Sequence, residues 1–339
     1  VVQIRQQQGN AVAAKKARGD LPIAAKEKVR CQSHRPFPPF IGCTGKPTRD
    51  APFRQHLTCP QYSRIRDVSQ GGMEMRIYLA VRPEHQREAA AFPAGLAYAA
   101  YRIGEDSVLL SRNLLRPAPC GGAGRSAAGK GLLVLSDEAA PPIRRPEALA
   151  GAVLRECGRR EYEGVVLDFE KRTTEERRRF IAALSRQCAA GRKSLFLPEA
   201  CADAAERRMI MVNTAVSGGS FEEHIREVCG RYGGAQNVAL DVQRLRMRFS
   251  LPARNGRGEA LTQEELDALL AQKPAVFFSR DLCARYFTGA GCGSAGFVLY
   301  DDAGTLRRKV RIGRELGVAA AFFQWPEIRD LAGELFRRP

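Results

Sequence analysis

From Met75 onward the chain alternates short apolar runs with longer stretches of helical period, a pattern that predicts repeated β/α units. The runs that read as strands are Arg76–Val81, Leu132–Ser136, Val165–Phe169, Ser194–Leu197, Met209–Ala215, Val238–Val242, Phe297–Tyr300 and Val318–Phe323. Eight such runs with helices interposed predict a (β/α)8 TIM barrel, and no GxGxxG turn supports an open doubly wound sheet. Helix starts are marked by Thr173 with Glu176, Ser220 with Glu223 and Thr262 with Glu265, each spaced as a capping box. In the first of these helices Phe180, Ile181 and Leu184 form the apolar stripe. One segment breaks the alternation: Tyr98–Ile103 and Ser107–Leu110, around Gly104-Glu105-Asp106, read as a small inserted hairpin outside the barrel.

Residues 1–74 follow neither period, and Pro36-Phe37-Pro38-Pro39 resists regular structure. They read as a basic disordered extension to a barrel over residues 75–339. A second reading is that they are not native coding sequence. Gln70-Gly71-Gly72 is encodable by a ribosome-binding sequence, and Met73 and Met75 follow as candidate starts.

Charge changes this picture little. The 339 residues carry a formal net charge of +17, yet residues 1–72 alone hold 13 Lys/Arg against 4 Asp/Glu. Over the barrel the excess is scattered arginine, as at Arg177, Arg178 and Arg179, where a solvated helix face is the ordinary explanation. No basic motif interleaved with aromatics is present, so nucleic acid is not an expected partner. No apolar run reaches the ~20 residues of a membrane span and no secretory core is evident, so a cytoplasmic location without membrane association is expected. Ten cysteines and four histidines are dispersed without metal-ligand spacing, so neither a metal nor another cofactor is expected. The pattern leaves oligomeric state open.

In a parallel barrel the strand C-termini and the loops after them form the functional face. Asp137, Asp168, Glu170, Asp241, Tyr300, Gln324 and Trp325 all fall there on the predicted strands. An acidic mouth with an aromatic suits carbohydrate: carboxylates bind hydroxyls and deliver protons, and an aromatic face packs on a sugar ring. Asp168 and Glu170, spaced i and i+2 at the end of what reads as the third strand, share one face. Plainer roles stand beside these. Asp137 could cap its loop, Asp241 pair with Arg244, Asp301-Asp302 start a helix and Trp325 simply pack.

The segment Tyr162-Glu163-Gly164-Val165-Val166-Leu167-Asp168-Phe169-Glu170 resembles the catalytic strand of glycoside hydrolase family 18, DxxDxDxE. Leu306–Lys309 through Gly317–Trp325 resembles the last helix and strand of that chitinase-like family, which end in a Trp under the sugar. The resemblance implies a (β/α)8 barrel in which Glu170 protonates the glycosidic oxygen and Asp168 orients the substrate's N-acetyl group as nucleophile. Trp325, Tyr300, Asp241, Asp137 and Gln324 would bind substrate. Val166 and Glu163 stand where the family has Asp, and the family's active-site Tyr has no strand-end match, Tyr300 being nearest. The implied function is a divergent glycosidase acting on N-acetylglucosamine-containing glycans; the alternative is an inactive carbohydrate-binding or structural barrel.

Overall fold

The computed structural model describes residues 74–112, 131–170, 173–250, 258–288 and 296–337. The expected extension over residues 1–74 lies outside the described residues apart from Glu74. Eight parallel strands close on themselves: β1 (Arg76–Val81), β2 (Gly95–Ile103), β3 (Leu132–Ser136), β4 (Gly164–Asp168), β5 (Ser194–Pro198), β6 (Met209–Asn213), β7 (Val238–Val242) and β8 (Ala320–Gln324). Each pairs with its neighbour, and β1 pairs with both β2 and β8 to shut the barrel. This is the (β/α)8 architecture, reached with two strands exchanged relative to the sequence reading.

The segment taken for an inserted hairpin supplies β2. Gly95–Ile103 pairs in parallel with β1 and β3 before its far end turns back against Leu109–Ser111. A break in register between Tyr98 and Tyr101 frees that upper end from strict barrel pairing. Phe297–Tyr300, in turn, is not a barrel strand. Gly296–Tyr300 is the middle of a five-stranded antiparallel sheet inserted after β7, flanked by Arg246–Ser250 and Ala284–Thr288, with Glu259–Ala260 and Phe277–Ser279 at its edges. Its Val298 and Tyr300 pack with Leu261 and Leu266 on one face, while Leu299 packs with Phe249 and Ala284 on the other. A strand apolar on both faces reads like a buried parallel strand, which explains the misreading. Asp168 consequently ends the fourth barrel strand, not the third.

Side chains that point into the barrel form a separate buried cluster, with Tyr78, Val134, Val166, Phe196 and Phe322 filling it around small residues such as Ala97 and Ala239. Phe322 stacks on Tyr78 at 5.0 Å and meets Phe196 edge-on at 4.9 Å. Glu163, at the N-terminal end of the motif, accepts a 2.6 Å hydrogen bond from the Tyr78 hydroxyl. It therefore secures the floor of the barrel, far from the mouth.

The outward residues of the strands pack beneath the helices α1 (Pro146–Arg159), α2 (Glu175–Ala190), α3 (Phe221–Arg231) and, beyond α4 (Gln263–Leu270) of the insertion, α5 (Ala303–Glu315). The caps follow the sequence with one shift: Thr174, not Thr173, accepts from Arg177 N at the start of α2. Ser220 and Thr262 cap as expected, and Asp302 forms a capping box with Thr305. Asp301 is wholly buried. It accepts from Lys309 Nζ at 2.7 Å, from Thr305 Oγ1 at 2.8 Å and from Leu245 N at 2.9 Å, tying the inserted sheet to the end of β7 and to α5. Among the described residues, no helix is long and apolar enough to cross a membrane.

Candidate active site

Strand alternation decides which motif residues face the mouth. Val166 lies in the inner cluster, so Asp168, two residues on, also points inward and keeps contact with solvent. Phe169 points outward, stacks with Phe180 at 6.1 Å and lies under the Arg177 guanidinium at 5.4 Å. Glu170 follows the strand and is half-buried.

Asp137, just past β3, holds this segment in place. Its own N–H donates to the Asp168 carbonyl at 3.3 Å, and its Oδ1 accepts from the Glu170 main-chain N–H at 3.0 Å. Its Oδ2 pairs with Arg177 at 2.6 Å. Asp137 is 1% exposed, so the substrate-binding role expected for it is corrected: it positions Glu170 and is shielded from any ligand. Arg177 is likewise no solvated surface charge, being 7% exposed. The signal was present in the sequence, since Arg177 stands three and four residues before Phe180 and Ile181, on the apolar stripe of α2.

The carboxyls titrate together. Burial raises the Asp168 pKa above the usual carboxylate range, and the charges of Asp137 and Glu138 raise it further. Glu170 is raised first by burial and then by Asp168, Asp137 and Glu138. Asp241, pointing inward near the end of β7, is pushed up to about 7, mainly by burial and also by Asp168 and Glu327. Like charges gathered in one partly desolvated mouth raise one another's pKa values. Asp241 does not pair with Arg244, whose side chain binds Asp330 at 2.9 Å. Asp241 Oδ2 instead accepts from Gln243 Nε2 at 2.7 Å. Gln324 ends β8 on the inward face, where its side chain acts on Asp241. The mouth thus brings together Asp168, Glu170, Asp241 and Gln324, with Asn213 and Gln243; the sequence reading had not singled out Gln243.

Two expected residues lie elsewhere. Trp325 is 1% exposed and packs against Phe92 at 5.4 Å in the outer core. It follows the inward Gln324, so it falls on the opposite face and cannot floor a sugar site. Tyr300 belongs to the insertion, 8% exposed and edge-on to Phe287 at 6.0 Å. It cannot replace a tyrosine at a barrel strand end. Among the described residues, no three His, Cys, Asp or Glu side chains are arranged to hold a metal ion.

No protein-family model and no curated protein matches this sequence. Solved structures share the fold. The spore cortex-lytic enzyme SleL of Bacillus megaterium QM B1551 aligns with TM-score 0.54 at 13% identity, over 79% of this chain and 76% of SleL. A chitinase from Chromobacterium violaceum ATCC 12472 gives 0.52 at 13% identity, over 78% of this chain and 100% of its own. The class V chitinase from Nicotiana tobaccum gives 0.51 at 11% identity, over 77% and 99%, and a mutant of it was solved in complex with NAG4. The chain therefore has the (β/α)8 barrel fold of these chitinase-like proteins, the fold that the resemblance of Tyr162–Glu170 to glycoside hydrolase family 18 implies.

Proposed function

We propose that this barrel is a divergent glycoside hydrolase acting on N-acetylglucosamine-containing glycans, with Glu170 as general acid. The observation that carries the reading is the state of Glu170. It stands two residues beyond the end of β4, anchored through its main chain to buried Asp137, with a pKa raised by burial and by Asp168. A carboxyl whose pKa is raised in this way is better matched to delivering a proton to a leaving glycosidic oxygen. Asp168, two residues earlier and close enough to act on Glu170, would address the same point of a ligand rather than the opposite side of a sugar ring. That arrangement suits a mechanism in which the substrate's acetamido oxygen attacks the anomeric carbon while Asp168 orients the acetamido group. The binding of NAG4 by a class V chitinase of the same fold supports this choice of sugar.

A specific observation favours the second reading, a carbohydrate-binding barrel without turnover. Val166, not a carboxylate, occupies the inner layer below Asp168, and the mouth lacks Trp325 as a platform. The two readings separate by assaying the protein and its Glu170→Gln variant against chromogenic N-acetylglucosamine oligomers. Turnover lost in the variant while binding persists supports the enzyme. Binding without turnover in either protein supports the second reading, and no binding in either overturns both.

A further inference from the structure

The inserted sheet guards its two edges unequally. At one, Glu259–Ala260 is a two-residue strand with both side chains exposed, and Glu259 pairs with Arg248 at 2.9 Å. A short, charged strand is a poor template for another chain. At the other, Phe277–Ser279 pairs with Ala284–Thr288 on one side and has no strand beyond it among the described residues. Its side chains do not protect it. Five large apolar residues are exposed among the described residues, and three of them are consecutive here: Val276 at 36%, Phe277 at 51% and Phe278 at 38%.

Successive strand residues point to opposite faces, so this edge is apolar on both. On one face the Phe277 ring lies against Tyr286 at 5.6 Å, and Tyr286 with Leu282, Phe297 and Leu299 lines an apolar hollow of about 380 Å³. On the other, the Arg308 guanidinium covers the Phe278 ring at 5.4 Å. An open apolar edge of this kind is where another strand pairs.

The charges around the edge identify that strand. Lys273 and Asp281 stand four residues before and four residues after Phe277, both are exposed, and neither forms an ion pair among the described residues. When a segment pairs antiparallel with its own copy about a two-fold axis through Phe277, each residue meets the one equally far on the other side of that position. Val276 of one copy then lies beside Phe278 of the other, and Phe277 meets Phe277. Lys273 of each copy falls opposite Asp281 of the other, so opposite charges close both ends. Moving the axis by one residue, to Phe278, sets Val276 against Arg280 and Lys273 against buried Cys283. The segment is therefore complementary to itself in one register.

We propose that this edge is a self-association surface: two copies of the chain pair antiparallel along 274–279 about a two-fold axis through Phe277, joining their inserted sheets into one. The proposal does not depend on the glycan reading of the barrel mouth.

The test is sedimentation velocity of the full chain over a concentration series, for the wild type, Phe277→Lys, Lys273→Glu and the double exchange Lys273→Glu with Asp281→Lys. All three positions are exposed, so the variants should unfold thermally as the wild type does. Wild type is expected to dimerise reversibly. Phe277→Lys should raise the dissociation constant at least ~30-fold, as loss of a central aromatic does. Lys273→Glu sets acid against acid at both ends and should raise it roughly tenfold, and the double exchange should return it close to the wild-type value. A monomeric wild type overturns the proposal, including one whose Phe277 edge binds a sugar oligomer or an unrelated peptide instead. So does a dimer that survives Phe277→Lys, or a series of ever larger species in place of a closed pair. A dimer lost with Phe277→Lys but indifferent to the charge exchanges overturns the two-fold pairing.

Discussion

Removing Arg177 should destabilise the protein far more than removing an ordinary surface arginine, and removing Asp137 as well should restore most of the loss. Their side chains are 9% and 2% exposed and 2.6 Å apart, so breaking the pair deprives a charge in a desolvated site of this close counter-charge. That costs about 3–5 kcal/mol for either single change, against at most ~1 kcal/mol for an exposed pair. Arg177→Met keeps much of the packing over Phe169 while deleting the charge. Asp137→Asn keeps an oxygen that can accept from the Glu170 N–H. In the double variant both charges are gone and the Glu170 anchor remains, so stability should return to within about 1–2 kcal/mol of wild type. For a barrel of this size each kcal/mol moves Tm by roughly 2–4 °C, so each single change should lower it by about 10 °C and the double by much less. The measurement is thermal and urea unfolding of all four proteins. The Glu170 carboxyl resonance should be followed by NMR in parallel. Asp137 is one of the charges that raise the Glu170 pKa, so Asp137→Asn should lower it and shift the alkaline limb of any acid-dependent activity toward lower pH. A single Arg177→Met loss under 1 kcal/mol, or a double variant as damaged as the sum of the singles, would refute the clamp.

Three further outcomes follow from the geometry. Asp241 holds its proton to about pH 7 in the folded protein but near 3.8 when unfolded, so the unfolded chain binds fewer protons in that window and stability falls as pH rises through it. That contribution is at most on the order of 4 kcal/mol, and the difference between wild type and Asp241→Asn in urea midpoints from pH 4 to 8 should expose it; parallel pH profiles would exclude it. Asp301→Leu should cost about 3–5 kcal/mol because it strands Lys309 and the Leu245 N–H, and Lys309→Met should cost less, since Asp301 keeps two donors; equal losses in chemical unfolding would contradict the network. Phe322→Ala, between Tyr78 and Phe196, should lose about 3–5 kcal/mol, and a loss below 1 kcal/mol would show that the barrel interior is not packed as described.

The barrel was legible because parallel strands buried on both faces read as apolar runs, and seven of the eight, β1 and β3–β8, sit within about two residues of their sequence bounds. β8 falls slightly later than Val318–Phe323, because Val318 and Ala319 precede the paired segment. The strand count came out right only because two errors offset one another. Tyr98–Ile103 reads as one arm of a hairpin with Ser107–Leu110 because the upper half of Gly95–Ile103 does turn back in one. Phe297–Tyr300 was taken for a barrel strand because the insertion buries both its faces. Local period reports burial and not the partner that provides it.

The site was legible where strand parity is certain and illegible where parity depends on a boundary. Asp168 and Asp241 face the mouth because each follows an inner-layer residue by two positions, Val166 and Ala239, within an unbroken strand. Trp325 was misplaced by one residue: with Phe322 inward and β8 running through Gln324, the inward slot at the rim belongs to glutamine and the indole turns into the outer core. The same argument recasts the absent aspartates of the motif. Glu163 lies before the strand and bonds Tyr78 at the barrel floor, and Val166 fills the inner layer, so neither leaves a gap that a carboxylate must occupy. Across the mouth Asp241 on β7, raised mainly by burial, also feels the charge of Asp168. Coupling across strands cannot be read from spacing within one strand: Asp168 and Asp241, whose charges act on one another in the mouth, are 73 positions apart in the chain.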